Sequence, residues 1–129
     1  MARAREVFMM VDADDNVLWS DASDSPVALP DSRMRWEAIW ARRARIVEIA
    51  HSHPVGPLAF SREDETTMAA LTSALGKPMR FSVIAPRGMV RCTSEDYSPI
   101  VVEEEPWWAS LLRLASGMTN GTPKTKKEK

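Results

Sequence analysis

The two histidines of this chain stand two positions apart, in the sequence His51-Ser52-His53-Pro54. On an extended backbone, side chains at positions i and i+2 point to the same side, so the two imidazoles would face one point. Asp64 follows after a short loop, where its carboxylate could complete a face of three ligands. This arrangement predicts a metal site whose fourth position stays open to water.

The types of ligand indicate which metal the site would hold. Structural zinc is closed by four protein ligands and is usually rich in cysteine, whereas catalytic zinc keeps an open position. This chain has a single cysteine, Cys92. Two nitrogen ligands and one oxygen ligand suit zinc, although iron, cobalt and manganese accept the same ligand types. Zinc ranks first, and we expect one Zn²⁺ per chain.

The segment from His51 to Asp64 resembles the JAMM motif, HxHP followed by SxxD, of the JAB/MPN metalloprotease family. The metal-site positions, the proline and the loop length all agree, and Gly56 corresponds to a glycine that is common in bacterial members. Many bacterial members have proline just before the serine, where this chain has Phe60. That departure affects the assignment to a subfamily and leaves the metal ligands unchanged.

Local patterns predict the elements that carry these ligands. Residues 46–50 form a run rich in β-branched side chains that leads into His51, as a strand should. Ser61 and Asp64 match an S-x-x-D version of the capping box, which predicts a helix over 61–75. Two functions of Asp64 therefore compete, because a capping carboxylate bonds to backbone amides whereas a ligand turns toward the histidines.

The rest of the chain alternates between short apolar runs and turn residues. The predicted elements are a hairpin of strands at 7–11 and 17–19, a loop at 20–30, a helix at 31–43, strands at 80–85 and 89–92, an edge strand at 97–102 and a helix at 107–118. Strands followed by helices in this order predict an α/β architecture in which helices flank a mixed sheet.

Helical spacing also predicts which side chains are buried. A stripe on the helix after the metal loop comprises Met68, Leu71, Thr72 and Leu75. On the helix at 31–43, an apolar face of Trp36, Ile39 and Trp40 should belong to the core. The arginines that interleave with these residues, among them Arg35, should form a solvated face.

Length and composition are those of one domain. A chain of 129 residues with 44% hydrophobic residues can build one core, so we expect a domain over 1–118 and a disordered basic tail over 119–129. The net charge of -1 provides no positive field for nucleic acid. Neither a membrane-spanning run nor a signal-peptide core is recognisable. A lone cysteine cannot form an internal disulfide. Together, these observations predict a cytoplasmic protein.

The family resemblance covers roughly residues 6–102 and implies the cytidine-deaminase-like JAB/MPN fold, in its short single-domain bacterial type. It also implies a glutamate general base at the start of the first strand, a placement that Glu6 matches. Glu37 and Glu48 compete with Glu6. Side-chain alternation from His51 turns Glu48 to the opposite face of its strand, and Glu37 on an amphipathic helix is more often a solvated charge.

In the mechanism that this resemblance implies, Ser61 donates a hydrogen bond to the oxyanion of the reacting carbonyl. The reaction is hydrolysis of a peptide or isopeptide bond after the carboxy-terminal tail of a ubiquitin-like protein, which would be the partner. Two alternatives remain open at this point. One is a non-proteolytic domain of the RadC kind that acts near nucleic acid, and the other is a scaffold for protein partners.

Overall fold

A six-stranded mixed sheet forms the centre of the computed structural model, which describes residues 4–118. The strands are β1 (Val7–Asp12), β2 (Val17–Ala22), β3 (Ile46–Ser52), β4 (Arg80–Ala85), β5 (Gly88–Thr93) and β6 (Asp96–Val101). The helices are α1 (Arg33–Ala41), α2 (Arg62–Leu75) and α3 (Trp107–Ser116). The predicted α/β architecture with a mixed sheet flanked by helices is confirmed. The predicted tail at 119–129 lies outside the described residues.

The order of strands across the sheet is β2-β1-β3-β4-β5-β6. The pair β3–β4 is parallel, whereas the other neighbouring pairs are antiparallel. A parallel pair needs a crossover connection, and α2 supplies it here. As a result, the loop that leaves β3 and the first turn of α2 lie together at the carboxyl-terminal end of β3.

The sheet has helices on both faces, which explains the continuous apolar run of β1. Phe8 and Met10 pack in a cluster with side chains of α1 and α2, whereas Val7 and Met9 pack with Trp108 and others of α3. Successive side chains of a strand point to opposite faces, so a strand that is covered on both faces is apolar throughout. No helix within residues 4–118 has the length and apolar character needed to cross a membrane.

The prediction that Trp36 and Trp40 belong to the core is wrong. Their side chains are 37% and 54% exposed, and Trp40 stacks on the guanidinium of Arg43. Helix α1 instead buries Arg35, Ala38 and Ile39, which share one face at helical spacing. Of the predicted face, Ile39 alone is buried.

The prediction that Arg35 is solvated is also wrong. Its guanidinium lies 2.9 Å from Asp21 Oδ2, donates a hydrogen bond of 2.8 Å to the carbonyl of Pro30, and lies over the ring of Phe8. A charge leaves water only when such partners replace its hydration. These partners come from β1, β2 and the following loop, which a local pattern in α1 does not reveal.

The stripe predicted on α2 is partly confirmed. Met68 and Leu71 are buried, whereas Thr72 and Leu75 are half-buried. The helix ends as expected at Gly76, which adopts a left-handed conformation with φ of 65°.

Glu48 is fully buried on the face of the sheet opposite the histidines, as the alternation along β3 predicts. Its carboxylate accepts hydrogen bonds from Arg91 at 2.9 and 3.0 Å, from Arg80 at 3.2 Å and from the hydroxyl of Ser82. The residues come from three neighbouring strands, so this network joins β3, β4 and β5.

Replacing Glu48 by glutamine is expected to lower the free energy of unfolding by about 3 kcal/mol, because two arginines lose a buried counter-charge. Chemical denaturation would measure it. Glu37→Gln is the matched control, since Glu37 is 63% exposed in its ion pair with Arg33, and it should cost less than about 0.5 kcal/mol. Equal stability of the two variants would contradict a structural function for the Glu48 network.

Candidate metal centre

The end of β3 and the start of α2 bring together His51, His53 and Asp64. His51 lies within β3, and His53 follows the strand but remains tied to the sheet, because its N–H donates to the carbonyl of Ile84 at 2.9 Å. The backbone therefore stays extended through both histidines, and their side chains point to the same side. Asp64 reaches them from the first turn of α2.

The distances between the three side chains fit a metal ion. His51 Nε2 lies 3.1 Å from His53 Nε2 and 3.1 Å from Asp64 Oδ1, and His53 Nε2 lies 3.4 Å from Asp64 Oδ2. Tetrahedral zinc with ligands at about 2.0–2.1 Å would separate its ligand atoms by about 3.3 Å. With one ligand atom taken from each residue, the three atoms lie within 4.8 Å of one another. The donor set of two nitrogens and one oxygen therefore has the chemistry for such an ion and lies close to the spacing that the ion requires.

A backbone contact orients the ring of His53 for this purpose. Its Nδ1 lies 2.9 Å from the carbonyl oxygen of Pro57, to which it donates when protonated. With Nδ1 bound in this way, Nε2 is the ring nitrogen that faces His51 and Asp64. Metal-binding histidines commonly use the second ring nitrogen in this way, since it sets both the tautomer and the ring angle.

The two competing functions of Asp64 are compatible in the structure. Oδ2 accepts a hydrogen bond of 2.7 Å from the N–H of Ser61, while Oδ1 faces His51. In return, the N–H of Asp64 donates to Ser61 Oγ at 3.0 Å, which completes a capping box. The cap thus holds the carboxylate against the histidines, and the first turn of a helix favours its negative charge.

Glu6 lies in the same cavity as the three candidate ligands. In the antiparallel pair β1–β3, Phe8 is opposite His51. Glu6, two residues before Phe8, therefore lies at the level of His53, two residues after His51, and on the same face of the sheet. Its backbone is held by the loop after β2, since its N–H donates to Ser25 at 2.8 Å and its carbonyl accepts from Ser23 at 2.9 Å. The side chain is buried.

Ser52, between the two histidines, was not singled out by the sequence patterns. It is fully buried on the face opposite the metal ligands, and its Oγ accepts from the N–H of Val7 at 2.8 Å and contacts the hydroxyl of Ser116 at 2.9 Å. It therefore ties the strand after Glu6 to the strand of the histidines and to α3. Because side chains alternate along a strand, Ser52 must point away from the two histidines. This alternation is the sequence signal from which its position could have been predicted.

The charged groups of the site shift one another's pKa values. Burial raises the pKa of Glu6, although the nearby histidines oppose this. Burial also disfavours the charged form of Asp64, but hydrogen bonds from His51 and His53 prevail and hold its pKa well below the usual range. For His53, burial opposes protonation, but hydrogen bonds to Asp64 and to Pro57 outweigh it and raise the pKa.

The other two glutamates considered as bases lie elsewhere. Glu37 is mostly exposed and pairs with Arg33 at 2.8 Å on the outer surface of α1, and Glu48 faces away from the histidines. Ser61 is exposed and lines the cavity, so its hydroxyl can cap α2 and still face the site. The structure thus brings together Glu6, Ser61 and the three ligands.

Comparison with known proteins gives a family match. The chain matches the family model of prokaryotic homologs of the JAB domain over residues 3–108, well over half of its length. No curated protein matches the chain.

Proposed function

Because the chain belongs to the prokaryotic homologs of the JAB domain, we propose that it is a zinc-dependent peptidase or isopeptidase. The substrate would be a ubiquitin-like protein, cleaved after its carboxy-terminal tail to release a conjugate or to process a precursor. The observation that carries this proposal is the convergence of His51, His53 and Asp64 with the buried carboxyl of Glu6 in one cavity. This set offers metal ligands and a base, which hydrolysis by an activated water requires.

His51, His53 and Asp64 are the residues that would hold zinc. A zinc ion, when bound, lowers the pKa of a coordinated water to about 7 and polarises a carbonyl. The chain's own residues fix the geometry. Pro57 sets the tautomer of His53, and the backbone of Ser61 holds the carboxylate of Asp64.

Glu6 would take the proton from the attacking water and deliver it to the nitrogen of the leaving amine as the carbon–nitrogen bond breaks. A general base works best when its pKa approaches the working pH. Burial shifts the pKa of Glu6 upward, in the direction that this function needs. The backbone contacts to Ser23 and Ser25 limit its movement, which favours one position for proton transfer.

Ser61 would donate a hydrogen bond to the oxygen of the reacting carbonyl as charge develops there. Its Oγ accepts from the N–H of Asp64, so its own proton remains available. Removing one such donor costs about 100- to 1,000-fold in rate in enzymes of other families.

A nucleic-acid function of the RadC kind has less support. The basic surface considered for this function comprises Arg33, Arg35, Arg42, Arg43 and Arg45. Three of these are paired, Arg33 with Glu37, Arg35 with Asp21 and Arg45 with Asp12. Such pairing reduces the positive field that phosphate binding needs. A pure scaffold would not need Glu6 buried beside three ligand-type side chains.

The direct test is cleavage of ubiquitin-like proteins that extend past a terminal Gly-Gly. The zinc-loaded protein should release the extension of at least one fusion in a broad panel, as followed by intact mass, and a chelator should abolish cleavage. Should zinc-loaded protein leave every fusion intact, the scaffold and nucleic-acid functions would gain and the peptidase function would be rejected.

A further inference from the structure

A groove of about 680 Å³ extends from the metal ligands between α1 and α2. Its wall includes the segment 26–31, which connects β2 to α1. Its floor is made of side chains from the sheet and both helices, namely Phe8, Ile39, Ile49, Met68, Leu71 and Phe81. The volume falls within the range of about 300–1,000 Å³ typical of ligand sites.

The groove and the candidate site are one continuous space. Glu6, His51, His53 and Asp64 line the same cavity as the apolar floor. Ile49 precedes His51 by two residues on the same face of β3, which places it about 7 Å from the ligand along the strand. An extended peptide advances by a similar distance in two residues. If the reacting carbonyl of a substrate lies at the ligands, the substrate side chain two residues away would therefore lie over the floor.

The cavity is also lined by Arg35 and by the exposed side chains of Asp31, Glu63 and Thr67. Arg35 uses its guanidinium for Asp21 and for the carbonyl of Pro30. The six floor residues have apolar side chains, so a polar side chain that covered them would lose water without gaining a partner from the floor, which is unfavourable. An apolar side chain would gain from leaving water.

We propose that this groove binds a bulky apolar side chain of the substrate, of the size of leucine or phenylalanine. The inference rests on the proposed peptidase function. For a tail that ends in Gly-Gly, the glycine pair occupies the stretch beside the ligands, and the apolar residue is the one directly before this pair. The groove thus selects among tails that share the same terminal glycines.

Binding can be measured apart from cleavage with the zinc-loaded full chain carrying Glu6→Gln. The probes are acetylated peptides of sequence Ser-X-Gly-Gly-Ser-Lys, in which X is leucine or glycine, and a third peptide with leucine moved to the position after Gly-Gly. The readout is the NMR shift of methyl groups on the floor, at Ile39, Ile49 and Met68. Methyl groups of Ile84 and Leu112, on the opposite face of the sheet, are the internal reference.

The peptide with leucine before Gly-Gly should shift the floor methyls, leave the reference methyls in place and bind at least about tenfold more tightly than the glycine peptide, as burial of one apolar side chain predicts. Equal binding of these two peptides, or tighter binding of the peptide with leucine after Gly-Gly, would overturn the inference. An absence of floor shifts at millimolar peptide would do the same.

Two tryptophans on α1 provide a matched pair of variants. Trp36 lines the groove at its exposed rim, whereas Trp40 stacks on Arg43 and does not line it. Trp36→Ala should weaken binding of the leucine peptide several-fold, and Trp40→Ala should leave it unchanged. Equal effects of both substitutions on peptide binding would contradict the inference that the leucine side chain binds in the groove beside Trp36.

The proposed peptidase function and the proposed apolar groove can be rejected independently of each other. If the leucine peptide binds as expected but the zinc-loaded parent cleaves no fusion, the peptidase function is rejected and the apolar groove stands. If the parent cleaves fusions with leucine and with glycine before Gly-Gly at equal rates, and both peptides bind equally, the groove inference is rejected and the peptidase function stands.

Discussion

Glu6→Gln should lower the rate of peptide hydrolysis by about 100- to 10,000-fold, the contribution typical of a general base. Glutamine keeps nearly the same volume but cannot accept the proton of the attacking water. The backbone contacts of residue 6 to Ser23 and Ser25 do not involve the side chain, so the fold should persist. Rates would be measured on a fusion that the parent cleaves, with zinc content and melting temperature determined for the same samples.

The matched control is Glu37→Gln, which removes a carboxylate from the exposed surface of α1. It should cleave as fast as the parent. A slow Glu37→Gln variant beside a fully active Glu6→Gln variant would mean that the base has been misassigned. A Glu6→Gln variant that has also lost its zinc would show that Glu6 contributes to metal binding, and the loss of rate would then not identify a base.

His53→Ala is expected to abolish stoichiometric zinc binding, from about one ion per chain in the parent to a small fraction in the variant. Loss of an outer contact to a metal ligand typically weakens metal binding by 10- to 100-fold, and loss of the ligand itself should exceed that. Substitution by alanine removes one of the three candidate ligand side chains and also the contact of its Nδ1 with the carbonyl oxygen of Pro57. Elemental analysis after dialysis against metal-free buffer measures the difference.

Glu63→Gln provides the control for that experiment. Glu63 is one of the two acidic neighbours of Asp64 in the first turn of α2, and it is not part of the ligand group. Its substitution should leave zinc content near one per chain. Parent protein without stoichiometric metal, or a His53→Ala variant that retains it, would rule out the assigned ligands.

Much of the candidate site follows from short stretches of sequence. The histidines share a side because strand alternation is a property of neighbouring residues, and Ser61 with Asp64 starts a helix because a capping box spans a single turn. For the same reason the end of α2 at Gly76 is predictable. The family resemblance added the placement of Glu6, which local periodicity alone does not connect to the histidines.

Tertiary structure decided how these pieces meet. The register that sets Phe8 opposite His51 brings Glu6 to the level of His53, and this depends on pairing between distant strands. Likewise, the parallel crossover through α2 lets the carboxylate of Asp64 cap the helix and also face His51 as a candidate ligand. A sequence pattern that spans one helical turn predicts the capping function of Asp64, but it does not show that the same carboxylate also faces the histidines.

The face that α1 buries was beyond the sequence patterns. Aromatic spacing favoured Trp36 and Trp40, yet Arg35 turns inward together with Ala38 and Ile39. The reason is that Asp21 and the carbonyl of Pro30 satisfy its charge, and both lie outside the helix. Periodicity along a chain predicts that a helix has two faces, but which face is buried depends on partners that folding brings from elsewhere.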